Sequence, residues 1–133
     1  MAANDGLAGA VITVLNKNGL KVPVTGQDAT AAGLQAVLRG TQYMTVFKPI
    51  RQEAEATAKL AAALAKNDTA TADGIATQTE KDPVGNRDVK SVLLEPQLIT
   101  KDSVKKVTDA GYVKASEICN AETQAACGQL GIK

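Results

Sequence analysis

An amide, a carboxylate and an ammonium recur along the chain at Asn4, Asp28 and Lys48, the last two twenty residues apart. That interval accommodates one helix and one strand, which returns a layered chain to the same edge of its sheet. In open α/β sheets, ligands bind outside the carboxyl ends of strands. Three such groups converging there can hydrogen-bond several hydroxyls of a neutral polyol, each charged partner contributing roughly 1.5 to 3 kcal/mol. Each residue also has a purely structural reading. Asp28 can cap a helix over 29–39, Lys48 can be a solvated loop cation, and Asn4 can cap a helix over 5–18. Asp28 and Lys48 could be imagined as an acid/base pair, but no activated nucleophile or metal cluster accompanies them. The expectation is binding without catalysis, cofactor or metal.

The composition narrows the chemistry further. The 133 residues include no histidine and no tryptophan, and the aromatics are Tyr43, Phe47 and Tyr112. This excludes His-centred triads, His metal sites and an aromatic platform for single-stranded nucleic acid. A formal charge of +1 provides no field to draw in phosphate backbones or anionic lipid, so no nucleic-acid partner is expected. No apolar run approaches the roughly 18 to 20 residues that cross a bilayer, so no direct membrane insertion is expected either. Met1 is followed by Ala-Ala-Asn-Asp rather than a basic and then apolar leader, so as written the chain is expected to remain cytoplasmic.

Cys119 and Cys127 are the only cysteines. In one continuous helix they would stand about 12 Å apart, too far to bridge, so a disulfide needs a turn between them. Their spacing matches neither zinc nor thioredoxin motifs. At this level a disulfide and two reduced thiols packed as small apolar side chains are both open.

The elements that position these residues alternate. Leu7, Val11, Ile12 and Leu15 share one stripe of a helix over 5–18, which Asn4 or Asp5 can cap and Gly19 can stop. A strand is predicted over 20–25, with Pro23 marking a strand end or an edge. A helix follows over 29–39, then a strand over 43–47, then an Ala-rich helix over 50–66 introduced by Pro49. Residues 67–87 are rich in Thr, Asp, Gly and Asn and read as mostly surface loop. A strand over 89–94 is stopped by Glu95-Pro96, a short helix capped by Thr100 or Asp102 runs to Thr108, and the tail carries one or two more. This alternation predicts an α/β layered fold with a mainly parallel sheet. No strand precedes the first helix, so residues 2–6 read as the carboxyl tip of a strand whose body is absent, and the chain as beginning mid-domain.

The segments Val22-Pro23-Val24-Thr25-Gly26-Gln27-Asp28-Ala29 and Gln42-Tyr43-Met44-Thr45-Val46-Phe47-Lys48-Pro49-Ile50 closely resemble the bacterial sugar-binding proteins that feed ABC importers, in the D-xylose-binding branch. Ala2-Ala3-Asn4-Asp5-Gly6, Ser91-Val92-Leu93-Leu94-Glu95-Pro96, Ile99-Thr100-Lys101-Asp102 and Asp109-Ala110-Gly111-Tyr112-Val113 extend the resemblance over nearly the whole chain. It implies the three-layer parallel-sheet fold of type I periplasmic-binding proteins, in which two lobes close on one sugar. Here that fold would be incomplete, a carboxyl-terminal half. The Asn, Asp and Lys with which the xylose-binding branch holds pyranose hydroxyls fall on Asn4, Asp28 and Lys48. By the same resemblance residues 1–47 belong to the carboxyl-terminal lobe, 48–88 to the amino-terminal lobe, and 89–133 to a hinge strand and tail.

The implied partners are a xylose-like monosaccharide, an ABC permease and a missing amino-terminal half, and the implied location of the parent is periplasmic or extracytoplasmic. Some extracytoplasmic relatives have a similar pair of tail cysteines, which implies a disulfide between Cys119 and Cys127. The departure is that the signal peptide, most of one lobe and the opposite cleft wall are not in these residues, and half a cleft cannot enclose a sugar. Two rival readings therefore stand: a truncated or non-functional gene product without binding of its own, and the effector domain of a sugar-responsive repressor.

Overall fold

The structure is a computed structural model that describes residues 1–133. Two compact units form, Met1–Lys48 with Pro96–Lys133, and Pro49–Glu95. They are called unit 1 and unit 2 below.

Unit 1 begins with α1, Asp5–Lys17. Of the two candidate caps it is Asn4 whose side-chain oxygen accepts from the Leu7 N–H, at 2.9 Å. Gly19, at φ +66°, takes the left-handed turn that ends the helix. The second helix, α2 (Ala31–Arg39), is capped by Thr30, which accepts from the Gly33 N–H, and stops at the left-handed Gly40. Asp28 is therefore not the cap of α2. Its position two residues upstream leaves the carboxylate for other partners.

The predicted strand over 20–25 is present only at its end. Residues Lys21, Val22 and Pro23 are exposed, and pairing begins at Val24 and Thr25. From there a short parallel ladder runs: Tyr43 N–H to Val24 O, Gly26 N–H to Met44 O and Asp28 N–H to Val46 O. On its other side Ala2 N–H donates to Thr25 O and Asp5 N–H to Gln27 O. Residues 2–5 thus pair as a strand tip does. The second partner strand becomes regular at β1, Thr45–Phe47.

Parallel pairing is confined to this ladder, and the pairs that qualify as regular strands are antiparallel. In unit 1 β1 pairs with an edge strand, Gln97–Ile99, in the register Thr45 with Ile99 and Phe47 with Gln97. After it a 3-10 turn (Lys101–Ser103) leads into α5 (Lys105–Asp109), and α6 (Ala115–Ile118) and α7 (Gln124–Leu130) complete the tail. The core gathers Leu34, Val37 and Leu38 of α2 against Phe47, Ile99, Val104, Val107, Ile118 and Cys127. Tyr112 closes it with an edge-to-face contact on Phe47 at 4.6 Å between ring centres. A second cluster joins Ala8 and Ile12 of α1 to Val24 and Ala36.

Cys119 and Cys127 form a disulfide, with Cα atoms 6.0 Å apart. The turn that it requires is at residues 120–123, between α6 and α7. There Thr123 is fully buried, its hydroxyl donating to Ile118 O at 2.5 Å.

Unit 2 holds α3 (Ile50–Ala65), α4 (Thr69–Ile75) and a hairpin of β2 (Gln78–Asp82) with β3 (Arg87–Ser91). With these two hairpin strands counted, the edge strand of unit 1 is β4. The expectation of mostly loop over 67–87 is corrected here, because two carboxylates organise the polar stretch. Asp68 accepts from the Thr71 N–H and hydroxyl and starts α4. Asp82 accepts from the N–H groups of Val84 and Gly85 and from Arg87 Nε, folding the turn between β2 and β3. The strand expected over 89–94 begins and ends earlier, at Arg87–Ser91, and the Leu93 N–H turns to Gln78 Oε1.

Candidate functional site

Asp28, Lys48 and Asn4 all lie in unit 1, at the carboxyl ends of the segments in its parallel ladder. The Asp28 N–H is the last rung toward Val46, two residues before Lys48. Lys48 Nζ meets Asp28 Oδ1 at 2.9 Å, so the two residues separated by one helix and one strand do return to one edge. Their side chains are 38% and 36% exposed, and an ion pair this open typically contributes no more than about 1 kcal/mol to the fold. Its arrangement is better described by what it offers. A carboxylate accepts from hydroxyls and an ammonium donates to them, side by side.

Asn4 stands at the neighbouring tip, since the residue after it donates its N–H to Gln27 O. Its oxygen is committed to capping α1, which leaves the Nδ2 donors for a ligand. The structural reading of Asn4 as a cap and its reading as a donor are thus compatible, because they use different atoms.

The segment that carries Asp28 is unusual. Asp28 has φ +96° and Ala29 φ +49°, successive positive values in residues that have a Cβ. Such conformations cost on the order of 1 to 3 kcal/mol each and persist where surrounding contacts over-determine them. Here three consecutive N–H groups are captured: Asp28 by Val46 O at 2.8 Å, Ala29 by Thr45 Oγ1 at 3.1 Å and Thr30 by Asp5 Oδ2 at 2.9 Å.

Asp5 is the residue that sequence reasoning missed. Read from sequence as a second possible cap of α1, it is instead buried at 5% exposure and accepts four hydrogen bonds. Oδ1 takes Gln42 Nε2 and the Thr45 hydroxyl, both at 2.8 Å, and Oδ2 takes the Thr30 N–H and hydroxyl. A buried carboxylate is tolerable when its acceptor capacity is filled in this way. The same Gln42 NH2 also donates to Met44 O, which ties the carboxylate to the start of the second partner strand. Two glycines make room for it. A Cβ on Gly26 or Gly33 would fall on the Asp5 carboxylate, nearer than side chains ever approach. Gly33 was the available signal, since glycine inside a helix is unfavourable relative to alanine unless something lies close against it.

No group of three or more His, Cys, Asp and Glu is placed to hold a metal ion, and no helix is long and apolar enough to cross a membrane. A cavity of about 460 Å³ in unit 1 is lined among others by Ile12, Leu15, Leu20, Val22 and Tyr43, none of them a site candidate.

Residues 1–69 match the family model of a periplasmic binding protein domain. The chain is 38% identical over 121 residues to the D-xylose-binding periplasmic protein of Escherichia coli (strain K12), an alignment covering 89% of this chain and 35% of the relative. Among solved structures, a carbohydrate transporter solute binding protein of Chloroflexus aurantiacus in complex with D-glucose superposes with a TM-score of 0.72 at 30% identity, over 87% of this chain and 34% of that one. An ABC transporter solute binding protein of Clostridium phytofermentans with bound β-D-glucose gives 0.69 at 28% identity, over 86% and 35%. The chain spans about a third of the length of the proteins that it matches.

Proposed function

The chain belongs to the periplasmic binding protein family, and from that membership we propose that it supplies one wall of a pyranose-binding cleft in the substrate-binding component of an ABC importer. D-xylose is the first candidate ligand, on the strength of the E. coli relative, and D-glucose the second, on that of the two sugar complexes. The segment to about Phe47 is assigned to the carboxyl-terminal lobe, the helix after Pro49 to the crossing into the amino-terminal lobe, and residues 89–96 to the return through the hinge. The work is done by hydrogen bonding, without covalent chemistry: Asp28 accepts from ring hydroxyls, Lys48 and the Asn4 amide donate to them, and lobe closure excludes water. An extracytoplasmic place of work accords with the Cys119–Cys127 disulfide, since such bonds persist in oxidising compartments.

The observation that carries this reading is the Asp28–Lys48 pair, 2.9 Å apart at strand tips and open to solvent. Three groups on one open wall bind weakly, because water competes for each hydrogen bond. Titration of the chain with D-xylose, followed by amide resonances, is expected to move Asn4, Asp28 and Lys48 selectively at millimolar sugar. In a receptor that joins this segment to the opposite wall, Asp28→Ala is expected to weaken xylose binding at least about tenfold, since the hydroxyls lose a charged acceptor. Unchanged affinity by calorimetry overturns the assignment of Asp28.

A further inference from the structure

We propose that Asp5 is a positioning residue for the sugar site: its buried carboxylate restrains residues 28–30 so that Asp28 and Ala29 keep the positive φ that presents Asp28 to Lys48. The role of the site in binding sugar rests on the reading above, whereas the mechanical part stands on geometry alone.

Four facts converge on Asp5. It contacts every segment that frames the pair: its own strand tip, the loop before α2 through Thr30, and the second partner strand through Gln42 and Thr45. It reaches the strained residues by two routes, directly at the Thr30 N–H that follows them and through the Thr45 hydroxyl, which donates to Asp5 while accepting from the Ala29 N–H. The strain at Asp28 and Ala29 needs such a restraint, because the exposed ion pair is too weak to offset it. Finally, Gly26 and Gly33 leave no space for a methyl group against the carboxylate, so the local packing is shaped around it. Asp5 itself is too buried to be a ligand for a sugar in the cleft.

The chain acts as a three-point clamp. Val46 O, Thr45 Oγ1 and Asp5 Oδ2 each take one of the successive N–H groups of residues 28, 29 and 30. Removing Asp5 releases the third point and weakens the second, since Thr45 Oγ1 is then free to rotate. The backbone of Asp28 and Ala29 can then relax toward negative φ, which swings the Asp28 carboxylate off Lys48.

Amide hydrogen exchange on the intact chain tests this without any sugar. In Asp5→Ala, exchange at residues 28–30 is expected to quicken at least tenfold, while Cys127, whose N–H bonds to Thr123 O in the tail, is unchanged. Asp5→Asn is expected to restore part of the protection. Its one carbonyl oxygen can still accept from the Thr30 N–H, and its NH2 can donate to Gln42 Oε1, a buried oxygen without a partner, once the Gln42 amide turns over and gives up its bond to Met44 O. Uniform quickening across unit 1, or unchanged exchange at 28–30, overturns the proposal. Should Asp5→Ala fail to fold, Asp5→Asn decides: exchange that quickens selectively at residues 28–30 relative to the intact chain supports the positioning role, and no change there overturns it.

The sugar arm separates the two readings. Xylose-induced shifts at Asp28 and Lys48 that vanish in Asp5→Ala support both. Shifts that persist unchanged in Asp5→Ala overturn the positioning role. A wild-type chain without shifts but with the predicted exchange pattern overturns the sugar reading and leaves Asp5 as the clamp of the Asp28–Lys48 pair.

Discussion

Leu34, Leu38, Ile99 and Ile118 are sealed from solvent in unit 1, whereas in unit 2 the buried side chains are Pro49 and three alanines, Ala63, Ala72 and Ala76. Burial contributes about 25 cal/mol per Å² of apolar surface, so a methyl group gives a fraction of what a leucine gives. Unit 1 is accordingly a core with elements packed around it. Unit 2 is a set of elements specified locally: an Ala-rich helix with high intrinsic propensity, a capped short helix and a hairpin with a carboxylate in its turn. Leu64, Val89 and Leu93 of unit 2 remain exposed. The unit that carries the candidate site is thus also the one whose tertiary packing can hold strained backbone in place.

Core truncation should separate the units most strongly. Leu34→Ala, at a fully buried position, is expected to destabilise unit 1 by about 2 to 5 kcal/mol in urea melts, and Leu64→Ala, more than half exposed, to change stability by no more than about 0.5 kcal/mol. Equal effects would erase the distinction. A smaller effect is expected from reducing the disulfide. Opening the short Cys119–Cys127 loop removes about 2 to 3 kcal/mol by the chain-entropy argument. The loss should register in residues of unit 1 and leave the amide shifts of the β2–β3 hairpin unmoved.

The smallest effect concerns pH and acts on unit 2. Hydrogen bonding, first from the Thr71 hydroxyl and then from its N–H, holds the Asp68 carboxyl below the usual aspartate range. The Gly85 N–H chiefly does the same for Asp82. With the folded value depressed, the stabilisation is present above the ordinary value of about 3.9 and is lost as the pH falls through the lowered one. Acidification is expected to shift the Thr71 and Gly85 amide resonances, reporting release of the cap and the turn. Resonances that hold steady to the lowest pH at which unit 1 stays folded would contradict this.

Legibility followed the range of the interactions. The helices α1, α2 and α3 were readable to within a residue or two at most ends, because caps, stopping glycines and helical spacing are local signals. The strand over 20–25 was over-read, because Val22 and Val24 favour extended backbone whether or not a partner strand is present, and pairing reaches only Val24 and Thr25. Residues 67–87 were under-read for the opposite reason. Polar composition suggested a loop, but Asp68 and Asp82 turn those polar groups into a cap and a hairpin turn. At the site, the return of Asp28 and Lys48 to one edge followed from counting elements, since one helix and one strand have nearly fixed lengths.

The sequence by itself determined the α/β order, a cap at Asn4 or Asp5, the spacing that returns Asp28 and Lys48 to one edge and the need for a turn between the two cysteines. Each depends on neighbours along the chain or on the fixed dimensions of regular elements. Only the tertiary structure decided that Asp5 is buried and that Asp28 and Ala29 sit at positive φ. The partners of the Asp5 carboxylate, Thr30, Gln42 and Thr45, lie 25, 37 and 40 residues away. Hydrogen bonds across such separations leave no periodic trace in the residues around Asp5, so they exist as information only once three strand tips have been brought side by side.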